Sequence, residues 1–283
     1  MGNVIVTGGS GFLATEFLKK FGKKSVYLIS RNKLKKNKKY KTIVCDLKDR
    51  LKFVNLLKKI NPTEVYHFAW DGIPKFNKKN FLKNKIISKN LIAGINQINC
   101  KKLIISGSGS EYGVTKKKNL ENSKPSKNIT DLGKQKNFIR KLFFENISRK
   151  TIIIWARIFY VYGKNQRDGS LLKKLIKAKK NKSYLTLKFP NISNDYIYIK
   201  DVINGILKLK KLKKTQVINI CSSKAISNYD FVKNFEKINN VKIFKKSSSN
   251  KFKQIYLGSN KKLKKLGWVQ KYSLNKALNE ICR

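Results

Sequence analysis

The chain has 283 residues, enough for one large domain or two small ones around a full core. Its 66 Lys and Arg against 15 Asp and Glu give a net charge of +51, with one histidine and four scattered cysteines. That inventory offers no zinc-type cluster, no apolar run approaches the ~20 residues of a membrane span, and the opening strand leaves no room for a signal peptide, so reduced thiols and a cytoplasmic location are expected.

Asn3 to Thr7 is a short β-branched run that reads as a buried strand. It breaks into Gly8-Gly9-Ser10-Gly11, and helical periodicity then begins at Phe12-Leu13-Ala14. A strand, a glycine turn and a helix in that order form a phosphate cradle: Gly8 permits the tight turn, Gly11 lets the backbone approach a pyrophosphate, and Ala14 lets helix and strand pack. The spacing is G-x-x-G-x-x-A, not the commoner G-x-G-x-x-G. An ordinary tight βα turn is the plain alternative. A second strand is expected at Ser25 to Ser30, followed by the dense lysine run Lys33 to Lys41. High positive charge has a functional reading, a nucleic acid or anionic membrane surface, and a bland one, compositional bias. A nucleic-acid binder concentrates charge on one face and interleaves aromatics. Here lysine is spread over nearly every predicted helix and loop, which favours bias, with no membrane partner and no specific nucleic acid, only non-specific polyanion binding at low salt.

Further strands are expected at Thr42 to Cys45, Glu64 to Phe68, Lys102 to Ser106 and Thr151 to Ala156. Helices fall between them at Asp49 to Ile60, with Leu51, Val54, Leu56 and Leu57 on one side, and at Phe81 to Ile98 and Ile129 to Ser148. This alternation predicts an α/β fold, a doubly wound Rossmann-type parallel sheet. Ligands collect at the carboxyl ends of such strands. Beyond residue 163 the pattern loosens into the helix Leu171 to Lys180, the strand Leu185 to Phe189, then Tyr196 to Ile199, a helix over 201–212 and Val217 to Ile220. Helices near 229–238, 261–266 and 274–281 close the chain, and Ser247 to Asn250 reads as a loop. The expected division is a dinucleotide-binding domain, 1–165 with 192–222 returning to it, and a mixed α/β substrate lobe, 166–191 and 223–283.

Several rim segments, in order, resemble the extended short-chain dehydrogenase/reductase family of nucleotide-sugar epimerases, dehydratases and reductases. Thr7 to Ala14 resembles its T-G-G-x-G-F-[IL]-G turn, and Cys45-Asp46-Leu47 its "D-[LV]". Tyr66-His67-Phe68-Ala69-Trp70 resembles "[VI]-H-L-A-A", and Ser106 to Gly113 "S-S-x-x-V-Y-G". Arg157 to Gly163 resembles "R-x-x-N-V-Y-G", Asp195 to Asp201 "D-[FY]-I-[HY]-V-x-D", and Lys264 to Trp268 the closing "L-G-[WF]". The resemblance implies a nicotinamide dinucleotide on Gly8, Gly11, Phe12, Leu13, Asp46, Leu47, Phe68, Ala69 and Lys136, a nucleotide-sugar substrate, and surface-polysaccharide sugar synthesis. Members often pair through helices like 81–98 and 129–148, so a homodimer is among the expectations. His67 reads as a packing residue, and Arg157 as partner to a carboxylate or backbone group rather than a catalyst.

Where NAD-binding relatives carry an acidic residue after the second strand, this chain has Ser30-Arg31-Asn32. Arg31 can pair with a 2′-phosphate, so NADP is expected, with NAD the alternative. The family's chemistry uses a serine, matched by Ser108, and a Y-x-x-x-K pair, of which Lys136 is present and confirmed in register by Gly133. The tyrosine is Leu132, which cannot transfer a proton. Tyr112, Tyr160, Asp131 or a water held by Ser108 and Lys136 are the stand-ins. The alternatives are an impaired dinucleotide-binding member or a shifted helix register. Tyr160 and Asn194 also replace the family's usual asparagine and arginine, and Lys251 to Lys253 are candidates for the lost positive charge. Ser108 to Glu111 and Tyr160 most resemble members that reduce 4-keto-6-deoxy sugars; a 4-epimerase is the enzymatic runner-up.

Overall fold

The computed structural model describes residues 2–22, 25–34, 39–115, 117–245 and 254–282. The apolar run at the start forms β1 (Val4–Thr7), buried along its whole length as a central strand requires. There follow α1 (Phe12–Lys20), β2 (Val26–Ser30), β3 (Lys41–Val44), α2 (Arg50–Ile60), β4 (Glu64–His67), α3 (Lys78–Ile95), β5 (Lys102–Ser108), α4 (Asp131–Asn146) and β6 (Ile152–Ile158). The chain continues through β7 (Tyr160–Tyr162), α5 (Leu171–Lys180), β8 (Leu185–Thr186), β9 (Ile192–Asn194), β10 (Tyr196–Tyr198), α6 (Ile199–Lys208) and β11 (Gln216–Ile220). It ends with β12 (Ile226–Ser227), α7 (Asn228–Asn239), β13 (Phe244–Lys245), β14 (Gln254–Tyr256), α8 (Lys261–Lys265) and α9 (Leu274–Cys282).

Seven strands form one sheet in the order β11-β6-β5-β4-β1-β2-β3. β1 runs parallel to both β2 and β4, β2 to β3, and β4 to β5. This is the doubly wound Rossmann sheet the sequence predicts, and its strand order reverses between β1 and β4, the switch point where such sheets take ligands. The core joins Ile5, Leu103 and Trp155 of the sheet to Phe53 and Leu57 of α2, Leu91 of α3 and Phe143 of α4. The buried face of α2 is Phe53, Val54, Leu57 and Ile60. Leu51, expected on that face, is 78% exposed, because the i, i+1, i+4, i+7 stripe runs through residue 53. α3 begins earlier than its apolar pattern because the Asn77 side chain accepts the Asn80 N–H and caps it.

The chain divides into two compact units. The first is Met1–Glu111, Thr130–Arg157 and Leu209–Ile218; the second is Tyr112–Ile129, Ile158–Lys208 and Asn219–Arg283. The expected boundary differs: of 192–222 only 209–218 join the first unit, while 112–129 and 158–165 belong to the second. Strand pairing explains the shift, since β7 pairs with β10 and Asn119 bridges Gly258. Within the second unit β9 pairs antiparallel with β12 and parallel with β14, and β8 pairs with β13. The buried Asp195 carboxylate gathers this unit's loops, accepting from Ser222 N–H, Ser223 N–H and Gly258 N–H. No helix of the described residues is long and apolar enough to cross a membrane. The predicted loop Ser247 to Asn250, Lys251 to Lys253 and part of the lysine run after β2 lie outside the described residues.

Candidate active site

Gly8 ends β1 with φ +77°, and a Cβ there would stand 2.8 Å from the Ala69 backbone nitrogen. A Cβ on Gly11 would stand 2.9 Å from Gly8 O, to which Gly11 N–H donates at 2.8 Å. Gly11 is also the N-cap of α1, with no side-chain cap hydrogen bond. No side chain of the cap residue therefore reaches the first-turn N–H groups of α1, among them those of the half-buried Phe12 and Leu13, an arrangement that suits an anion. The turn walls a cavity that also takes Ser30 and Arg31 from β2, Asp46 and Leu47 from beyond β3, and Phe68, Ala69, Trp70 and Asp71 from beyond β4. Sequence-predicted residues from four strand ends thus meet at one place. The uncapped helix, the bare glycine cradle and the Trp70 indole N–H, buried with no acceptor among the described residues, fit a phosphate-bearing dinucleotide.

Charge around this cavity is mixed. Arg31 is exposed and its Nη1 lies 3.3 Å from Asp71 Oδ2. Burial pulls the Asp46 carboxyl upward, but the Lys48 amide and ammonium and the Arg31 charge hold it below the ordinary value.

Ser108 ends β5 and is half-exposed. Its Oγ accepts from Ser110 N–H at 3.1 Å, so its own O–H is left to donate. Its N–H donates to Glu111 Oε1 at 2.8 Å. Glu111 is fully buried; Trp155 Nε1–H also donates to its Oε1 at 2.8 Å, and Arg157 Nε donates to its Oε2 at 2.7 Å. Arg157 therefore pairs with a carboxylate.

α4 starts behind Thr130, whose Oγ1 accepts Gly133 N–H at 3.2 Å. Leu132 lies in the first turn, half-buried. One turn on, Lys136 is buried; its Nζ donates to Ser106 O at 2.7 Å and stands 3.6 Å from the Trp70 ring centroid. Burial pushes the ammonium down to about 7, against the raising effect of the Glu111 charge. His67 is buried with Nδ1 2.8 Å from Thr7 Oγ1, and burial, aided by the Lys136 charge, pushes it down to about 3. It is a neutral packing residue at neutral pH.

The other candidates have surroundings of their own. Tyr112, a predicted stand-in acid, is fully buried in the second unit, stacked near Phe159 with its hydroxyl donating to Asn219 Oδ1 at 2.8 Å. Its hydroxyl proton is thus engaged by Asn219. Tyr160 is 40% exposed and packs edge-on against Tyr196. Asn194 is buried and bonded to Asn228. Asp131 is exposed beside Lys134. Sequence reading gave Glu111 and Trp70 no individual role, although both lie inside motif segments at the strand ends.

The NAD dependent epimerase/dehydratase family matches residues 4–221, and the chain belongs to that family. Among curated relatives, dTDP-6-deoxy-L-talose 4-dehydrogenase (NAD(+)) of Aggregatibacter actinomycetemcomitans is 23% identical over 182 residues, 63% of this chain and 67% of that one. Among solved structures, dTDP-glucose 4,6-dehydratase from Bacillus anthracis in complex with NAD superposes with TM-score 0.87 at 16% identity, covering 99% of this chain and 95% of that one. UDP-glucuronic acid 4-epimerase from Bacillus cereus, in complex with UDP-glucuronic acid and NAD, gives TM-score 0.84 at 24% identity, covering 98% and 96%. These likenesses establish the fold.

Proposed function

We propose that the protein is an NADP(H)-dependent nucleotide-sugar oxidoreductase that reduces a 4-keto sugar, as a step in surface-polysaccharide sugar synthesis. The observation that carries this reading is the meeting of the bare glycine turn with Arg31, Asp46 and Ala69 in one cavity, whose wall residue Trp70 also carries Lys136. Gly8, Gly11 and the first turn of α1 would hold the phosphates, Asp46 and Leu47 the adenosine, and Phe68 and Ala69 the ribose side. When bound, the dinucleotide supplies or accepts a hydride. Ser108 then donates its O–H to the substrate oxygen, its Oγ being fixed by Ser110 N–H. The second unit is read as the substrate lobe, with Tyr160 on its open surface. Free thiols at all four cysteines support a cytoplasmic setting. The relatives named above support a nucleotide sugar as substrate class.

The direct test is steady-state NADPH oxidation over a panel of 4-keto nucleotide sugars, with turnover on at least one expected and none contradicting the reading. Leu132 favours a second reading, a dinucleotide-binding member without turnover; orders-of-magnitude faster turnover in Leu132→Tyr would support it. The NADP choice rests on Arg31 and the missing carboxylate after β2. Arg31→Glu is expected to lower the NADPH-to-NADH affinity ratio about tenfold or more, roughly 1.4 kcal/mol; an unchanged ratio returns the choice to NAD. We also read the exposed Leu82, Ile86 and Phe138 on α3 and α4 as the contact with a second copy. Sedimentation at about 0.3 M salt, where repulsion between basic copies is screened, should show a dimer, and Ile86→Asp a monomer. A wild-type monomer removes this part.

A further inference from the structure

We propose that Lys136 is itself the proton-transferring group of this chain, taking at its own position the acid–base role that Leu132 cannot perform; the proposal rests on the oxidoreductase reading above.

The geometry favours it over Asp131 and His67 of the same unit. Asp131 is exposed at the start of α4 and neighbours Lys134. His67 is tied to Thr7 Oγ1. Lys136, by contrast, is buried with its Nζ on the carbonyl of Ser106, two residues before Ser108 on the same strand. An ammonium has three N–H donors, and Ser106 O takes one. The Trp70 ring that carries the cation also walls the glycine-turn cavity. Lys136 therefore stands where the Ser108 strand and the cavity wall meet. The groups facing it are His67 from β4, Glu111 from the turn after β5, and Trp155 from β6. Of these only Glu111 is anionic, and it is already engaged by Arg157. An amine so desolvated titrates near neutrality, which is what general acid–base exchange needs and an ordinary surface lysine lacks.

The step balances. In the reducing direction the carbonyl carbon gains a hydride from the reduced nicotinamide dinucleotide, and the carbonyl oxygen gains a proton from Lys136. The N–H bond breaks, an O–H bond forms, and water returns a proton to the neutral amine. Oxidation runs the same exchange backwards.

Two measurements test this. The first uses the protein alone: intrinsic tryptophan fluorescence followed against pH. Wild type is expected to show a transition with a midpoint near 7, as the Lys136 charge leaves the Trp70 ring, that is absent in Lys136→Ala and Trp70→Phe. The second is turnover. Lys136→Ala is expected to lose about 10²–10⁴-fold and to regain activity with added alkylamines, at rates that vary with the amine pKa. A purely space-filling role gives no such dependence. Lys136→Arg, which keeps the charge but does not release a proton, should not recover turnover. A flat wild-type fluorescence profile, wild-type turnover in Lys136→Ala, full turnover in Lys136→Arg, or rescue indifferent to amine pKa each overturns the proposal. Failure of the function reading looks different: no substrate turns over although the fluorescence transition is present.

Discussion

Glu111→Ala is expected to lower the unfolding free energy by about 3–5 kcal/mol, the usual cost of removing one partner of a buried ion pair. The carboxylate is fully buried, and its oxygens take the Ser108 N–H, the Trp155 indole N–H and the Arg157 guanidinium, with Arg140 Nε 3.9 Å away. Without it the Arg157 guanidinium loses this carboxylate, and the half-exposed Ser108 N–H and the buried Trp155 indole N–H lose their acceptor, a further desolvation loss of about 1–3 kcal/mol for the indole if unrelieved. Added salt should restore little, because buried pairs are weakly screened. Glu111→Gln keeps the shape and an acceptor oxygen, so its loss should have the same sign and be smaller. Urea denaturation measures both; a shift within about 0.5 kcal/mol of wild type in Glu111→Ala, the range of ordinary surface changes, contradicts the account. Because Ser108 hangs from the same carboxylate, turnover in Glu111→Gln should fall more than dinucleotide affinity.

Gly8→Val should weaken nicotinamide dinucleotide binding by at least ~100-fold, about 2.8 kcal/mol. Two effects act together. The residue sits at φ +77°, where a β-branched side chain is strained by roughly 1–3 kcal/mol. Its Cβ would also press on the backbone of Phe68 and Ala69, moving the turn away from the end of β4 and out of register with the α1 N-terminus. Isothermal titration on folded variant measures the loss, with circular dichroism as the check that the sheet survives. Binding within threefold of wild type places the dinucleotide somewhere else.

Much of this architecture was legible because its signals are local. The β1 run, the glycines behind it and the 3.6-residue stripes of α2 to α4 each specify their element without help from distant residues. The short strands β7, β9 and β12 to β14 were not: two or three residues become a strand only when a partner is present, and the partners, β10 for β7, β12 and β14 for β9, and β8 for β13, lie far along the chain. The same pairings moved the boundary between the units. At the site, Gly8, Gly11, Arg31, Asp46, Leu47, Phe68 and Ala69 were visible as strand-end residues and do share one cavity. Lys136 was visible only through the Gly133 register, since 66 Lys and Arg give any single one little distinction. Its cation–π contact with Trp70 and the engagement of Glu111 by Arg157 join separate strands and helices, which no local pattern encodes. The hydrogen bond from the Tyr112 hydroxyl to Asn219, much later in the chain, is likewise beyond any local pattern.

Thermal unfolding of the wild-type protein, alone and with NAD, NADH, NADP or NADPH, bears on the root of all this. At a hundred times its Kd, a ligand that binds only the folded chain adds about 2.7 kcal/mol, so at least one of the four should raise the melting temperature, and the same ligand should leave Gly8→Val unmoved. No rise with any of them, at concentrations up to the millimolar range, contradicts a dinucleotide held by the turn between β1 and α1.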